Sequence, residues 1–327
     1  MPILLEDLIE RLPSDTEEKV KKARDRFNNR IREALRGETR FYFRRRAGSN
    51  SPRDETIAVT ISIEPGLPEV LRPIEKQSID DKHRLSLLLA PYRHTLASLR
   101  DSSKDAVEKL IPTLQRDSLA ISLLDGREKH LSSVSQYADA LLKKLNEFEL
   151  TKFILQVNSD VLGVYHFGWE KLWDNPEPKI ELYWGVIGLI ARDLGLKVED
   201  LTCVVLTHEL AHAFSHVGTD ADDHRWNTNH FAASAVELKE GLAQYYSQLV
   251  CERLRDEAPG AIHAYQTLLP HQQQAYRVHQ NWKDSNPEHV RLAMLEARRF
   301  GGPVTLVQFA IFLRDARKQL RQVADNS

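Results

Sequence analysis

Apolar residues recur at helical spacing through much of the chain. Near the start, Val20, Ala23, Phe27, Ile31 and Ala34 fall three or four apart with charged residues between them, which predicts an amphipathic helix. Two β-rich runs follow, Arg40–Arg44 and Thr56–Ile63, on either side of the turn-forming Gly48-Ser49-Asn50-Ser51-Pro52; they predict two short strands around a loop. Residues 80–147 read as several helices, the last over about Leu131–Phe148. The character changes at Thr151. Phe153–Val157 and Val161–Phe167, joined by Asn158-Ser159-Asp160, predict a β-hairpin, and Lys179-Ile180-Glu181-Leu182-Tyr183-Trp184 alternates like a half-buried strand. Ile187–Leu194 predicts a short helix. Behind the acidic turn Glu199-Asp200, Leu201, Val204, Val205, Leu210 and Ala211 recur at roughly helical spacing, and Gly218 supplies a stop. A helix of about five turns is expected there. Glu237–Tyr246 predicts another, and beyond Pro259 the chain is again helical, most clearly over Val304–Leu320.

Together these elements predict an α+β fold, predominantly helical, with a small sheet. They fall into a mostly helical N-terminal module over residues 1–150 and a second domain over 151–327. Neither an internal repeat nor an extended low-complexity tract is present.

Composition narrows the picture by exclusion. A formal charge of −2 and a pI near 6.7 give no global attraction to nucleic acid or an acidic membrane. Cys203 and Cys251 form no disulfide framework and read as small buried hydrophobes. The start, Met1-Pro2-Ile3-Leu4-Leu5-Glu6-Asp7, lacks a basic region before its short apolar run, and no stretch approaches the roughly 18 apolar residues of a membrane span. A soluble, cytoplasmic protein is expected. One local exception is residues 28–53, with eight Arg, two Glu and Phe41-Tyr42-Phe43. Arginines interleaved with aromatics can bind nucleic acid through phosphates and stacked bases. The simpler reading is a strand with arginines facing water and aromatics facing the core.

The chemistry lies in His208-Glu209-Leu210-Ala211-His212. Two histidines four apart on a helix share one face, so both imidazoles can reach one metal ion, and zinc suits imidazole nitrogen. Glu209 points about 100° away from His208, beside the metal, where it can take a proton from a metal-bound water. A catalytic zinc site needs three protein ligands and an open position. Glu237 and Glu240 follow 25 and 28 residues after His212 on the next helix, and His216 lies four residues beyond His212. A histidine in a last helical turn more often serves the helix dipole in its charged form.

With Glu240-Gly241-Leu242-Ala243 following the motif, residues 201–250 resemble the gluzincin metallopeptidases, which include thermolysin-like and aminopeptidase-type enzymes. In that group a glutamate of the second helix, often within a Glu-Gly-x-Ala-like string, completes the site. The resemblance implies Zn2+ as cofactor, His208, His212 and Glu240 as ligands, Glu209 as general base and a zincin-like metallopeptidase domain. The loop from the motif to the third ligand is longer than in compact members, which keeps Glu237 open. The metzincin pattern would need a glycine at 215 and a histidine at 218, where this chain has Ser215 and Gly218.

The resemblance also implies an edge strand over the metal, for which Lys179–Trp184 is the candidate, pairing with an extended peptide or protein substrate. Oxyanion donors are open among Tyr245, Tyr246, Tyr276, His263 and His279; Tyr276 and His279 can share a helical face. Gln244, one turn after Glu240, is placed to hydrogen-bond a ligand histidine. The expected activity is zinc-dependent peptide hydrolysis. The alternative is a zincin-like binding or regulatory protein whose metal site is structural or held latent.

Overall fold

The computed structural model describes residues 5–45, 55–71, 92–114, 130–143, 150–157, 161–167, 178–283 and 285–325. The described part is mostly helical with a small sheet. In order it contains α1 (Leu5–Glu10), α2 (Thr16–Thr39), β1 (Arg44–Arg45), β2 (Glu55–Thr56), β3 (Thr60–Glu64), α3 (Arg93–Leu114) and α4 (130–143). Then come α5 (Leu150–Val157), β4 (Gly163–His166), β5 (Lys179–Tyr183), α6 (Trp184–Asp193), α7 (Val198–Val217), α8 (Thr228–Ala233) and α9 (Val236–Arg253). The chain closes with α10 (Ala261–Leu268), α11 (Gln274–Arg277), α12 (Pro287–Arg299) and α13 (Leu306–Asp325).

α7 is the axis of the fold. Every residue from Leu201 to His216 is buried, so this helix has no solvent face and its apolar pattern runs all round. α2, α6, α9, α10 and β4 pack around it. α2 follows the sequence expectation: its buried stripe is Val20, Ala23, Phe27, Ile31 and Ala34, with Glu17 and Glu18 in the first turn. Gly218 does end α7, though not through a left-handed cap, because its φ is −60°. A Cβ there would run into the Phe214 carbonyl and lie 2.9 Å from Phe41, so only glycine fits the exit. Buried Arg298 then clamps that exit, donating to the carbonyls of Gly218 and His224 and lying 3.9 Å over the Phe41 ring.

The expected hairpin does not form. Residues 153–157 lie in helix α5, and β4 pairs with β5 instead; the joining residues 158–160 lie outside the described residues. A five-residue apolar run is compatible with either state. The choice falls to the helix because buried Asp193 accepts from both the N–H and the hydroxyl of Thr151, each at 2.8 Å, satisfying the first turn. Leu150 and Ile154, and Thr151 and Leu155, are then buried one turn apart.

The three-stranded sheet has the order β3-β5-β4, with β3 parallel and β4 antiparallel to β5. Lys179–Tyr183 is therefore the central strand, which corrects its expected place at the edge. The edge beside α7 is β4. The strand expected over Thr56–Ile63 divides into β2 and β3, and that expected over Arg40–Arg44 shrinks to Arg44–Arg45 plus a bridge from Tyr42 to Thr219. The loop 48–52 lies outside the described residues.

The described residues between 5 and 71 do not form a core of their own. Leu5, Phe27, Ile31 and Leu71 belong to the same apolar cluster as Leu210, Leu242 and Phe309, α2 lies along α7, and β3 completes the sheet. The expected boundary near residue 150 therefore does not separate this segment's packing from that of the C-terminal half. Four arginines of the basic run, Arg30, Arg32, Arg36 and Arg40, turn onto protein partners. Arg30 pairs with Glu257 at 3.3 Å, Arg32 donates to the Val59 carbonyl at 2.8 Å, Arg36 lies over Tyr42, and Arg40 pairs with Glu288 at 3.5 Å. Both cysteines are buried, and burial pushes the Cys203 thiol up to about 12. No helix among the described residues is long and apolar enough to cross a membrane.

Candidate metal centre

His208 and His212 project from the middle of α7, one turn apart, and Glu240 reaches them from the first turns of α9. Three atoms converge: His208 Nε2 and Glu240 Oε2 at 3.1 Å, His212 Nε2 and Glu240 Oε2 at 3.2 Å, and the two Nε2 atoms at 3.1 Å. All three side chains are buried, and the group could hold a metal ion. Ligand atoms at about 2.0–2.1 Å from a tetrahedral zinc lie roughly 3.3 Å apart, so the observed triangle fits such an ion with little adjustment. Without protons or a cation between them, three lone-pair-bearing atoms this close and this buried would repel one another. Burial alone would raise the Glu240 carboxyl, but His212 and His208 more than offset it and hold the group well below the usual carboxylate range.

The local sequence explains how α9 delivers that carboxylate. Leu238 and Leu242 are buried on either side of Glu240 and seat the helix. At Gly241 a Cβ would lie 2.8 Å from the Trp282 ring, so the glycine of the Glu-Gly string lets Trp282 pack directly on the helix. Glu237, three residues earlier, is exposed and outside the cluster, which settles the choice between the two carboxylates for the converging group.

Glu209 is buried beside the triad and lines a cavity of about 160 Å³ together with His212 and Glu240. Its side chain is packed by the edge strand. A Cβ at Gly163 would lie 3.0 Å from Glu209 Cγ, 3.1 Å from its Oε1 and 3.0 Å from Val205 Cγ1. On the other side, Glu209, His208, Tyr276, Gln244 and Gln272 line a second, small cavity of about 20 Å³. Tyr276 stacks on the His208 ring, with centroids 5.5 Å apart and planes 21° apart. Gln244 donates to Gln272 at 2.9 Å and sits on the same face of α9 as Glu240.

Other residues considered from sequence lie elsewhere. His216 is not aimed at the triad: Nδ1 meets the Tyr165 hydroxyl and Nε2 the Thr228 hydroxyl, each at 3.0 Å. Nor does it serve the helix dipole as a cation, because burial, reinforced by nearby Arg298 and Arg225, pushes it down to about 3. His279 uses Nδ1–H to donate to the Tyr276 carbonyl at 2.8 Å and Nε2 to accept from Tyr265 at 2.7 Å, so it faces no open site and instead braces Tyr276. Burial pushes it down to about 4. Tyr245 lies five residues after Glu240, about 140° round the helix, and packs on Tyr246 and Trp282 away from the triad. Tyr246 is fully buried and His263 is exposed on α10.

Sequence reasoning missed Tyr165 and Gly163. The Tyr165 ring lies parallel to His212, 6.3 Å away and 6° from coplanar in tilt, while its hydroxyl ties β4 to His216. The alternation of Gly163 and Tyr165 along one strand was the available signal, but it points to a face and not to a neighbour. No protein-family model, curated protein or solved structure matches this chain.

Proposed function

We propose that the chain is a zinc-dependent metallopeptidase with a zincin-like, gluzincin-type catalytic domain. The observation that carries this reading is the buried His208–His212–Glu240 triangle with a second carboxylate, Glu209, set beside it on a cavity under a sheet edge. A structural site would have no use for that extra carboxylate or for the adjoining cavity. Zinc held by the triad would supply Lewis acidity, lowering the pKa of a water and polarising the scissile carbonyl.

The chain's own groups do the rest. Glu209 accepts the proton of the attacking water and returns it to the leaving amine. The free edge of β4, which has no ladder partner among the described residues on that side, offers main-chain hydrogen bonds to an extended peptide. Tyr276, held against His208, is the side chain of the considered set best placed to meet charge developing on the carbonyl oxygen. Hydrolysis of a mixed peptide substrate by the full-length chain, lost with a chelator and restored by zinc, is the expected result. Intact peptides after incubation with protein shown to hold its metal would overturn the assignment.

Gly163 supplies a finer check on the same reading. Because a Cβ there presses on Glu209, Gly163→Ala is expected to retain metal and lower kcat by on the order of ten- to a hundredfold. Undiminished kcat in that variant would show that the strand does not position Glu209.

A further inference from the structure

A cavity of about 460 Å³ opens where the first turn of α7 meets the α1–α2 turn and the end of α6. It shares no residue with the metal triad. Val198 on its wall opens α7, and His208 follows ten residues later, about 15 Å along the helix. The volume falls within the roughly 300–1,000 Å³ of pockets that bind small molecules. Peptide hydrolysis at the triad makes no use of it.

Two glycines of α6 shape the place. A Cβ at Gly185 would lie 2.8 Å from Ile9, and one at Gly188 would lie 2.7 Å from both Leu12 and Thr16. The missing side chains let α1 and the start of α2 settle directly on α6. The turn between α1 and α2 satisfies its own backbone. Leu12 N–H donates to the Ile9 carbonyl at 3.0 Å, and the Pro13 carbonyl accepts from the N–H and the hydroxyl of Thr16 at 2.9 and 2.6 Å. Leu12, Pro13, Leu196 and Val198 then give the cavity an apolar wall.

The ionisable side chains that line it are all cations, Arg11, Lys19 and Arg192. Lys19 is already engaged: it pairs with Asp15 at 2.9 Å and feels Glu199 as well. Glu17 and Glu18 are taken by Lys21 and Lys22 at 2.6 and 3.4 Å. Arg11 and Arg192 have no carboxylate partner among the described residues, and the Arg192 guanidinium lies 3.5 Å from the Arg11 carbonyl. Two guanidiniums thus remain available beside an apolar wall, with no carboxylate lining the cavity to offset them. Their planar forks match the two oxygens of a carboxylate.

We propose that this cavity binds a small amphipathic carboxylate, its ionised head on Arg11 and Arg192 and its short apolar body against Leu12, Pro13, Leu196 and Val198. The site is separate from the metal centre and stands whether or not the chain is a peptidase.

Isothermal titration calorimetry of the purified full-length protein at neutral pH tests this with three probes. Octanoate has head and body, octanol only the body, and acetate only the head. Octanoate is expected to bind at least about tenfold more tightly than either of the others. High salt is expected to weaken octanoate and leave octanol unchanged. In the Arg11→Gln/Arg192→Gln variant, octanoate affinity is expected to fall at least about tenfold with octanol affinity retained, which shows that the apolar wall is still in place. A carboxylate could instead ligate a metal, so the His208→Ala/His212→Ala variant is the control, and it is expected to bind octanoate as the wild type does. Octanoate that fails to bind, binds no more tightly than octanol or acetate, or keeps its affinity in the arginine variant would overturn the assignment. So would octanoate binding that disappears with the two histidines.

Discussion

Glu209→Gln is expected to leave the fold and the bound metal in place and to cut peptide turnover by at least about a hundredfold. Glutamine nearly matches glutamate in shape, so the close packing of this side chain against Gly163 is preserved. What changes is proton affinity: an amide cannot take up the water proton as a carboxylate does. General bases contribute typically 10²–10⁴-fold, which sets the lower bound of the loss. Turnover and metal content must be measured on one preparation, so that a fallen rate cannot be traced to lost metal. An unchanged rate with metal retained would remove Glu209 from the chemistry and the gluzincin mechanism with it.

The second large effect separates two glutamates one turn apart. Glu240→Ala is expected to weaken zinc binding by more than the roughly 10–100-fold that outer hydrogen-bond partners of a metal site cost, because it removes one of the three atoms proposed to hold the ion. It also leaves two buried imidazoles facing each other at 3.1 Å without their carboxylate. Glu237→Ala, at an exposed position in the first turn of α9, is expected to leave zinc affinity unaltered. Its cost is confined to a favourable helix-dipole interaction of about 0.3–1 kcal/mol. Competition against a chromogenic chelator measures both variants directly. Equal zinc affinity in the two would exclude Glu240 as a ligand.

The parts of the fold legible in the sequence are those governed by local spacing. The helices carrying Val20–Ala34, Leu201–Ala211 and Glu237–Tyr246 follow from apolar period and acidic first turns, and the His208/His212 pair needs only the helical repeat. What was not legible depends on partners far along the chain. The helix Leu150–Val157 is decided by Asp193, some forty residues on, and the central place of Lys179–Tyr183 by its pairing with Thr60–Glu64. Gly163 and Tyr165 look like ordinary strand residues until β4 is laid against α7. His216 shows the same limit in reverse. By position it suits a helix C-terminus as a cation, but Tyr165, Thr228 and Phe231 enclose it and keep it neutral.

The proposed chemistry requires one metal ion held by His208, His212 and Glu240. Elemental analysis of the purified full-length protein, wild type beside the His208→Ala/His212→Ala double variant, tests that most directly. About one zinc per chain is expected in the wild type and almost none in the double variant, with the two proteins giving the same far-ultraviolet circular dichroism. Zinc retained at full stoichiometry in the double variant would contradict the account.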